Sequence, residues 1–287
     1  MIIDAHHHLW DPAVGDYPWL TDELAVIRRR FGPDDLAPLL RETQVAGTIL
    51  VQTRSSVDET REFLATAAAT PFIRGVVGWV DLTDPAIGDV VTALRADPGG
   101  DRLVGIRHQV HDEPDPEWLT RDDVRRGIAA VADADLAYDL LVRSRELPAA
   151  RALVASMPDA RFVVDHLAKP PIRTGALQPW ADLVSAWADL PNAAWKLSGL
   201  VTEADWEDWT PDDLVPYVDH ALSTLGPDRL IFGSDWPVCT LAASYAQVVE
   251  AARLVTGRCS DAERDAIFAG NAQRVYWPGS EITGRDG

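Results

Sequence analysis

The chain has 287 residues, 47% of them hydrophobic and 25% charged, a composition that fills a folded core and excludes a disordered or fibrous protein. Its formal net charge of -19 argues against binding nucleic acid or anionic lipid, both of which need clustered Lys and Arg, and leaves a small molecule as the expected partner. Cys239 and Cys259 stand in no disulfide or metal-ligand spacing, no run approaches the ~18 apolar residues of a membrane span, and the start MIIDAHHHLW has no leader pattern, so the cytoplasm is the expected compartment.

Short β-branched apolar runs alternate with amphipathic segments along the whole chain. The first run, over residues 2–8, ends in Asp4-Ala-His6-His7-His8. Strand side chains alternate faces, so His6 and His8 point one way and can grip one ion, while His7 points the other way and is structural. Further strands are expected over 46–52, 73–80, 103–108, 137–142, 161–166, 194–198 and 229–234, with helices over 34–42, 60–69, 121–132, 147–156, 212–225 and 245–255. Pro211 suits the first turn of a helix capped by Thr210, and Ser260-Asp-Ala-Glu263 has the form of a capping box that opens a last helix over about 260–270. Eight strand-helix units without a composition break predict one (β/α)8 TIM barrel, of class α/β, spanning 1–287 with a short tail over 278–287. Neither GxGxxG after the first strand nor GxxxxGK[ST] occurs, so nucleotide binding has no support.

In such a barrel the C-terminal ends of all strands meet at one rim, which carries the chemistry. The sixth run, Phe162-Val-Val-Asp-His166, delivers a histidine to that rim. The eighth, Leu230-Ile-Phe-Gly-Ser-Asp235-Trp-Pro237, delivers a carboxylate, with Gly233 allowing close backbone approach and Pro237 stopping the strand. Strand eight lies beside strand one in a closed barrel, so Asp235 is expected next to His6 and His8, placed to bind a metal, to take a proton from water, or to do both.

The stretches Ile3-Asp-Ala-His-His-His-Leu-Trp-Asp11, Gly105-Ile-Arg-His108, Val164-Asp-His-Leu-Ala-Lys-Pro170, Trp195-Lys-Leu-Ser-Gly-Leu200 and Phe232-Gly-Ser-Asp-Trp-Pro237 resemble the amidohydrolase-2 branch of the amidohydrolase superfamily. Within it they are similar to sugar-acid lactonases of the L-fuconolactonase and L-rhamnonolactonase type, relatives of 2-pyrone-4,6-dicarboxylate lactonase. The resemblance runs from Ile2 to about Trp277. It implies a barrel hydrolase in which His6 and His8 form the His-x-His motif, His166 is the strand-six histidine and Asp235 is the general base of water attack on a lactone carbonyl. The chain departs from binuclear members of the superfamily. Strand four offers Arg107 and His108 in place of a lysine, and Tyr138 to Val142 on strand five includes no histidine.

Three imidazoles and a carboxylate therefore suit a single zinc or manganese ion at His6, His8, His166 and Asp235, with an open position for water or substrate. In the resembling pyrone lactonase the histidines polarise the carbonyl directly, so a metal-free mechanism stays open. Gln52, Arg107, His108, Lys169, Lys196 and Ser198 are expected at strand ends, where they would hold a hydroxyl-rich or anionic substrate, although strand-end cations also pair with loop carboxylates. Trp10, Trp79 and above all Trp236, beside Asp235, offer an indole face to a sugar ring and are equally at home in a core. The alternatives are a related barrel decarboxylase of a hydroxylated aromatic or unsaturated acid, a metal-dependent nuclease or phosphoesterase, and a non-catalytic sugar-acid binding barrel. A homodimer is an assembly the sequence allows.

Overall fold

The computed structural model describes residues 1–279. Eight strands, β1 (Ile2–His7), β2 (Val45–Val51), β3 (Ile73–Gly78), β4 (Leu103–His108), β5 (Ala137–Leu140), β6 (Phe162–Val164), β7 (Ala193–Leu197) and β8 (Leu230–Phe232), follow one another round a single sheet in chain order. Each ladder is parallel. The helices between them, α1 (Pro33–Thr43), α2 (Val57–Ala69), α3 (Ile87–Ala96), α4 (Asp122–Asp133), α5 (Leu147–Ser156), α6 (Trp180–Ser185), α7 (Leu200–Glu203), α8 (Pro211–Leu225) and α9 (Tyr245–Val255), form the outer ring of a (β/α)8 barrel. Among the described residues no helix is long and apolar enough to cross a membrane.

Local chemistry sets the helix starts. Thr210 precedes α8 with Pro211 in the first turn, and the Asp213 carboxylate accepts the Thr210 backbone N–H at 2.7 Å. Ser260 and Glu263 make the same reciprocal pair ahead of α10 (Asp261–Asp265). The last helix does not stop near 270 as its pattern suggests. A π-turn over Ala266–Gly270 leads into α11 (Asn271–Tyr276), and the Asn271 amide donates to the carbonyls of Pro227 at 2.8 Å and Leu230 at 2.7 Å. That tie brings the C-terminal segment under the barrel, where Ala269, Ala272, Val275 and Tyr276 join Ile3, Ile49, Val77, Val104, Val163 and Ile231 in the inner core. The bore is thus packed from below, and only its upper end is left for a site. Of the tail expected over 278–287, all beyond residue 279 lies outside the described residues.

β6 and β8 each end two residues before the bound expected from the sequence. β6 stops at Val164, two residues short of His166, and β8 at Phe232, because the chain turns there instead of continuing extended. Closure of the barrel is correspondingly local. The Asp235 N–H donates to the His6 carbonyl at 2.8 Å and the His8 N–H to the Trp236 carbonyl at 2.7 Å. Gly233 makes the approach feasible, since a Cβ there would stand 2.7 Å from the His6 Cβ.

Below these bonds Asp4, fully buried on β1, bolts the same seam. Its carboxylate accepts the Ser234 N–H at 2.7 Å, the Ser234 hydroxyl at 2.6 Å and the Tyr245 hydroxyl at 2.9 Å. Burial pushes the Asp4 carboxyl above its usual range, and these donors oppose that. Asp4→Ala strands all three donors away from water and is expected to cost about 3 kcal/mol, read as a lower urea midpoint at unchanged slope. A midpoint equal to wild type would show that the seam does not depend on Asp4.

Candidate active site

His6, His8, His166 and Asp235 meet at the upper end of the bore. The Nε2 atoms of His6 and His8 are 3.1 Å apart, and the Asp235 Oδ1 lies 3.7 Å from His6 Nε2, 3.4 Å from His8 Nε2 and 3.9 Å from His166 Nε2. All four residues are at most 5% exposed. His6 and His8 arrive by strand alternation. His7, on the opposite face, bonds the Thr48 hydroxyl at 2.9 Å and takes no part.

His166 and Asp235 arrive by a different route. Their backbones are left-handed, with φ of 54° and 57°, and the conformation continues through Leu167, Ala168 and Lys169 without a glycine. A left-handed turn costs an L-residue roughly 1–2 kcal/mol each, so the surroundings must hold it. Trp180 of α6 does so, donating its indole N–H to the Leu167 carbonyl at 2.7 Å.

The ring nitrogens turned away from the site are each anchored from behind. His8 Nδ1 lies 2.8 Å from the Val51 carbonyl, which only accepts, so Nδ1 carries the proton and the Nε2 lone pair faces the site. His166 Nδ1 bonds the Ser198 hydroxyl at 2.9 Å. His6 has a cationic donor at each ring nitrogen, Lys196 Nζ 3.2 Å from Nδ1 and Arg107 Nη1 3.3 Å from Nε2, with Asp165 Oδ1 3.4 Å from Nδ1. The Nε2 atoms of His6 and His8, 3.1 Å apart, stand close enough to hold one cation between them. Four donors on a tetrahedron with bonds of about 2.0–2.2 Å stand roughly 3.3–3.6 Å apart, close to the spacings here. His6, His8 and Asp235 fit one divalent ion in kind and spacing, with His166 Nε2 at the edge of the set, 3.9 Å from Asp235 Oδ1. Among the described residues a second ion has no comparable set: Asp165 also lies within ligand range of His6 and His166, but it is already held by Arg107 and Lys196.

Burial, reinforced by Lys196, pushes His6 well below the usual imidazole range, and burial brings His166 down to about 4. Burial also pushes the Asp235 carboxyl up, but His166, His8 and His6 together outweigh it and hold the group ionised. Beneath the four lies a buried charged layer. Lys196 Nζ bonds Asp139 at 2.6 Å and Asp165 at 3.0 Å, Arg107 Nη1 bonds Asp165 at 3.0 Å, and the Tyr276 hydroxyl reaches Asp139 at 2.8 Å. Asp165 is held well below its usual range, because Lys196, His6 and Arg107 overcome its burial.

A cavity of about 410 Å³ opens above the four residues, within the range of small-molecule sites. Arg107 and Lys169 line it, as the sequence suggests. The remaining strand-end candidates sit elsewhere. Gln52 is fully buried and bonds the Arg107 carbonyl at 3.3 Å, and Ser198 stands behind His166. His108 is saturated between the Trp79 indole at 3.0 Å and Glu113 at 2.8 Å and stacks on Trp118. Trp236 packs edge-on against Phe31, and Trp10 donates to the Ile27 carbonyl, so neither lines the cavity. The indoles that do line it are Trp19 and Trp206, on loops where strand periodicity gives no guidance. Gln109, His111, Asp112 and Arg143 also line it unforeseen.

The sequence profile described as amidohydrolase matches residues 3–277. The chain is 40% identical over 285 residues to an L-fucono-1,5-lactonase of Burkholderia multivorans, covering 96% of this chain and 95% of that one, and 39% identical to an L-fucono-1,5-lactonase of Burkholderia ambifaria over 96% and 94%. A crystal structure of an amidohydrolase from Burkholderia multivorans with bound zinc superposes with a TM-score of 0.91 at 39% identity, covering 96% of this chain and 99% of that one. The chain belongs to the amidohydrolase family.

His111 yields a test of the site's electrostatics. Burial, with Lys169, Arg143 and Arg107 adding, pushes its imidazole down to about 3. Between the ordinary value of 6.5 and 3 the unfolded chain binds a proton that the folded chain does not, so this contribution is complete above pH 6.5 and is lost as pH falls. The stability difference between wild type and His111→Gln is expected to shrink by about 1 kcal/mol from pH 7 to 5.5, measured by urea unfolding at each pH. A constant difference would mean that His111 titrates normally.

Proposed function

We propose that the chain hydrolyses the lactone ring of a sugar-derived acid, an aldono-1,4- or 1,5-lactone, by water attack on the carbonyl with Asp235 as general base. The observation that carries this reading is the convergence of Asp235 Oδ1 with three imidazole Nε2 atoms at the foot of a cavity sized for a small ring. The lactonase names of the two Burkholderia relatives, each matched over nearly the whole chain, favour ring opening over decarboxylation or mere binding.

His6, His8, His166 and Asp235 would hold one divalent ion, zinc in this reading, and such an ion supplies Lewis acidity toward a carbonyl oxygen or water. Asp235, ionised across the neutral range, takes a proton from the water that attacks the carbonyl carbon. Arg107, whose Nη1 lies 3.3 Å from His6 Nε2 at the cavity wall, donates to the oxyanion as the carbonyl becomes tetrahedral. His166, held by Ser198, keeps its Nε2 on the reacting centre. Collapse breaks the bond to the ring oxygen, and protonated Asp235 returns its proton to the departing alkoxide, leaving an open hydroxy acid. The buried layer of Lys196, Asp139 and Asp165 holds His6 from below, so the group does not reorganise during the step.

Each turnover releases a proton near neutral pH, so a pH-indicator screen of five- and six-membered sugar lactones tests the reaction directly. Hydrolysis of at least one sugar lactone is expected, and carbon dioxide release from hydroxybenzoates without lactone turnover would overturn the reading. Asp235→Asn is expected to lower kcat by roughly 10²- to 10⁴-fold; near-normal turnover would remove Asp235 from the base role. Elemental analysis of purified protein is expected to find about one divalent ion per chain, with the content falling sharply in His8→Ala. Full turnover by metal-stripped wild type would assign the polarisation to the imidazoles and Arg107 alone.

A further inference from the structure

The walls of the cavity differ in polarity according to the strands that carry them. After β8 the turn Val238–Leu241 presents Val238 and Leu241, and the long connection after β1 presents Trp19 and Leu24 from beside its turn Asp22–Ile27. These two turns pack against each other. After β4 and β5 the wall is mainly polar, with Gln109, His111, Asp112 and Arg143 around a single aliphatic side chain, Leu141. With eight strands in chain order, β4 and β5 lie across the barrel from β8 and β1, so the apolar and polar walls face each other over the reacting centre.

Three cations line this cavity, and two of them are committed. Arg107 is held by Asp165 at 3.0 Å, and Lys169 by Glu203 at 2.7 Å. Arg143 is exposed, and among the described residues its guanidinium has neither an ion pair nor a hydrogen bond, in a chain with 45 acidic and 26 basic side chains. Of the three, Arg143 alone keeps its five donors free toward the cavity. The reacting carbonyl sits with His6, His8, His166 and Asp235, on β1 and after β6 and β8, so Arg143 meets the far side of the ring.

We infer that Arg143 is a specificity-determining residue that reads the ring hydroxyls of the substrate, seating the lactone with its hydroxylated edge toward the loops after β4 and β5 and its oxygen-poor edge on Leu24, Val238 and Leu241. The inference rests on the lactone-opening reading above. A guanidinium fork donates to two neighbouring hydroxyl oxygens at once, a geometry a lysine does not reproduce. Aliphatic side chains on the opposite wall offer no partner to a hydroxyl turned the wrong way, which would then lose its water without replacement.

The experiment compares kcat/KM of wild type, Arg143→Ala and Arg143→Lys on three lactones: a six-membered sugar lactone, unsubstituted δ-valerolactone, and a six-membered lactone bearing a ring carboxylate. Arg143 is exposed, so the variants are expected to fold, and circular dichroism with metal content checks this. The expected result is a loss of roughly 10- to 100-fold on the sugar lactone in Arg143→Ala, carried mainly by KM. δ-Valerolactone should change less than twofold, and Arg143→Lys should restore only part of the loss. An equal loss on sugar lactone and δ-valerolactone, or no loss on either, overturns the role of Arg143 while leaving the lactonase reading intact. A wild-type preference for the carboxylate-bearing lactone over the sugar lactone overturns the hydroxyl assignment. Wild type that opens none of the three sinks both readings.

Discussion

The hydrogen bonds that close the barrel run through the residues of its site. Asp235 donates its backbone N–H to His6, and His8 donates to Trp236, while one turn lower Asp4 ties β1 to Ser234 and to Tyr245 of α9. Strand eight can meet strand one only if these groups are in register, and when they are, the Asp235 carboxylate stands among the imidazoles. Folding to completion and assembling the centre are one event. This explains why β8 needs only three residues of regular strand: the segment from Ser234 to Trp236 continues the pairing in a conformation that also aims a side chain inward.

Below the centre, four charged groups are buried in the bore in equal and opposite number, Lys196 and Arg107 against Asp139 and Asp165. Such a cluster contributes little net stability, because desolvation offsets most of its attraction. Its geometric effect is larger. Asp165 touches Lys196, Arg107 and His6 at once, and Tyr276 anchors Asp139 from the plug beneath, so movement of any member uncovers an unpaired charge. The imidazole of His6 is therefore fixed from behind by electrostatics as much as by packing.

Strand order and side-chain alternation made much of this legible in the amino-acid sequence. His6 and His8 follow from parity on one strand, and Asp235 from the adjacency of the last strand to the first. What parity could not supply is what lies between neighbouring side chains. Gln52, His108 and Ser198 all occupy strand ends, yet each is absorbed by a partner, Arg107, Glu113 or His166, that sequence spacing does not reveal. Asp139 and Lys196 carried a readable signal, charged side chains within otherwise apolar strands, but only a three-dimensional neighbour turns that into an ion pair. Arg143, His111, Trp19 and Trp206 come from loops, where no periodicity exists to read.

The left-handed turn from His166 to Lys169 stores the position of a site residue in backbone torsion, and the indole that secures it belongs to α6 in the outer shell. The helical layer is therefore part of the pocket's calibration. A glycine at Leu167 or Ala168 would relax the torsion, and with it the constraint that aims the imidazole. At this turn, protein engineering meets a direct exchange between backbone comfort and aim, and sequence drift in the α6 packing has a route to the reacting centre without altering any residue that a substrate touches.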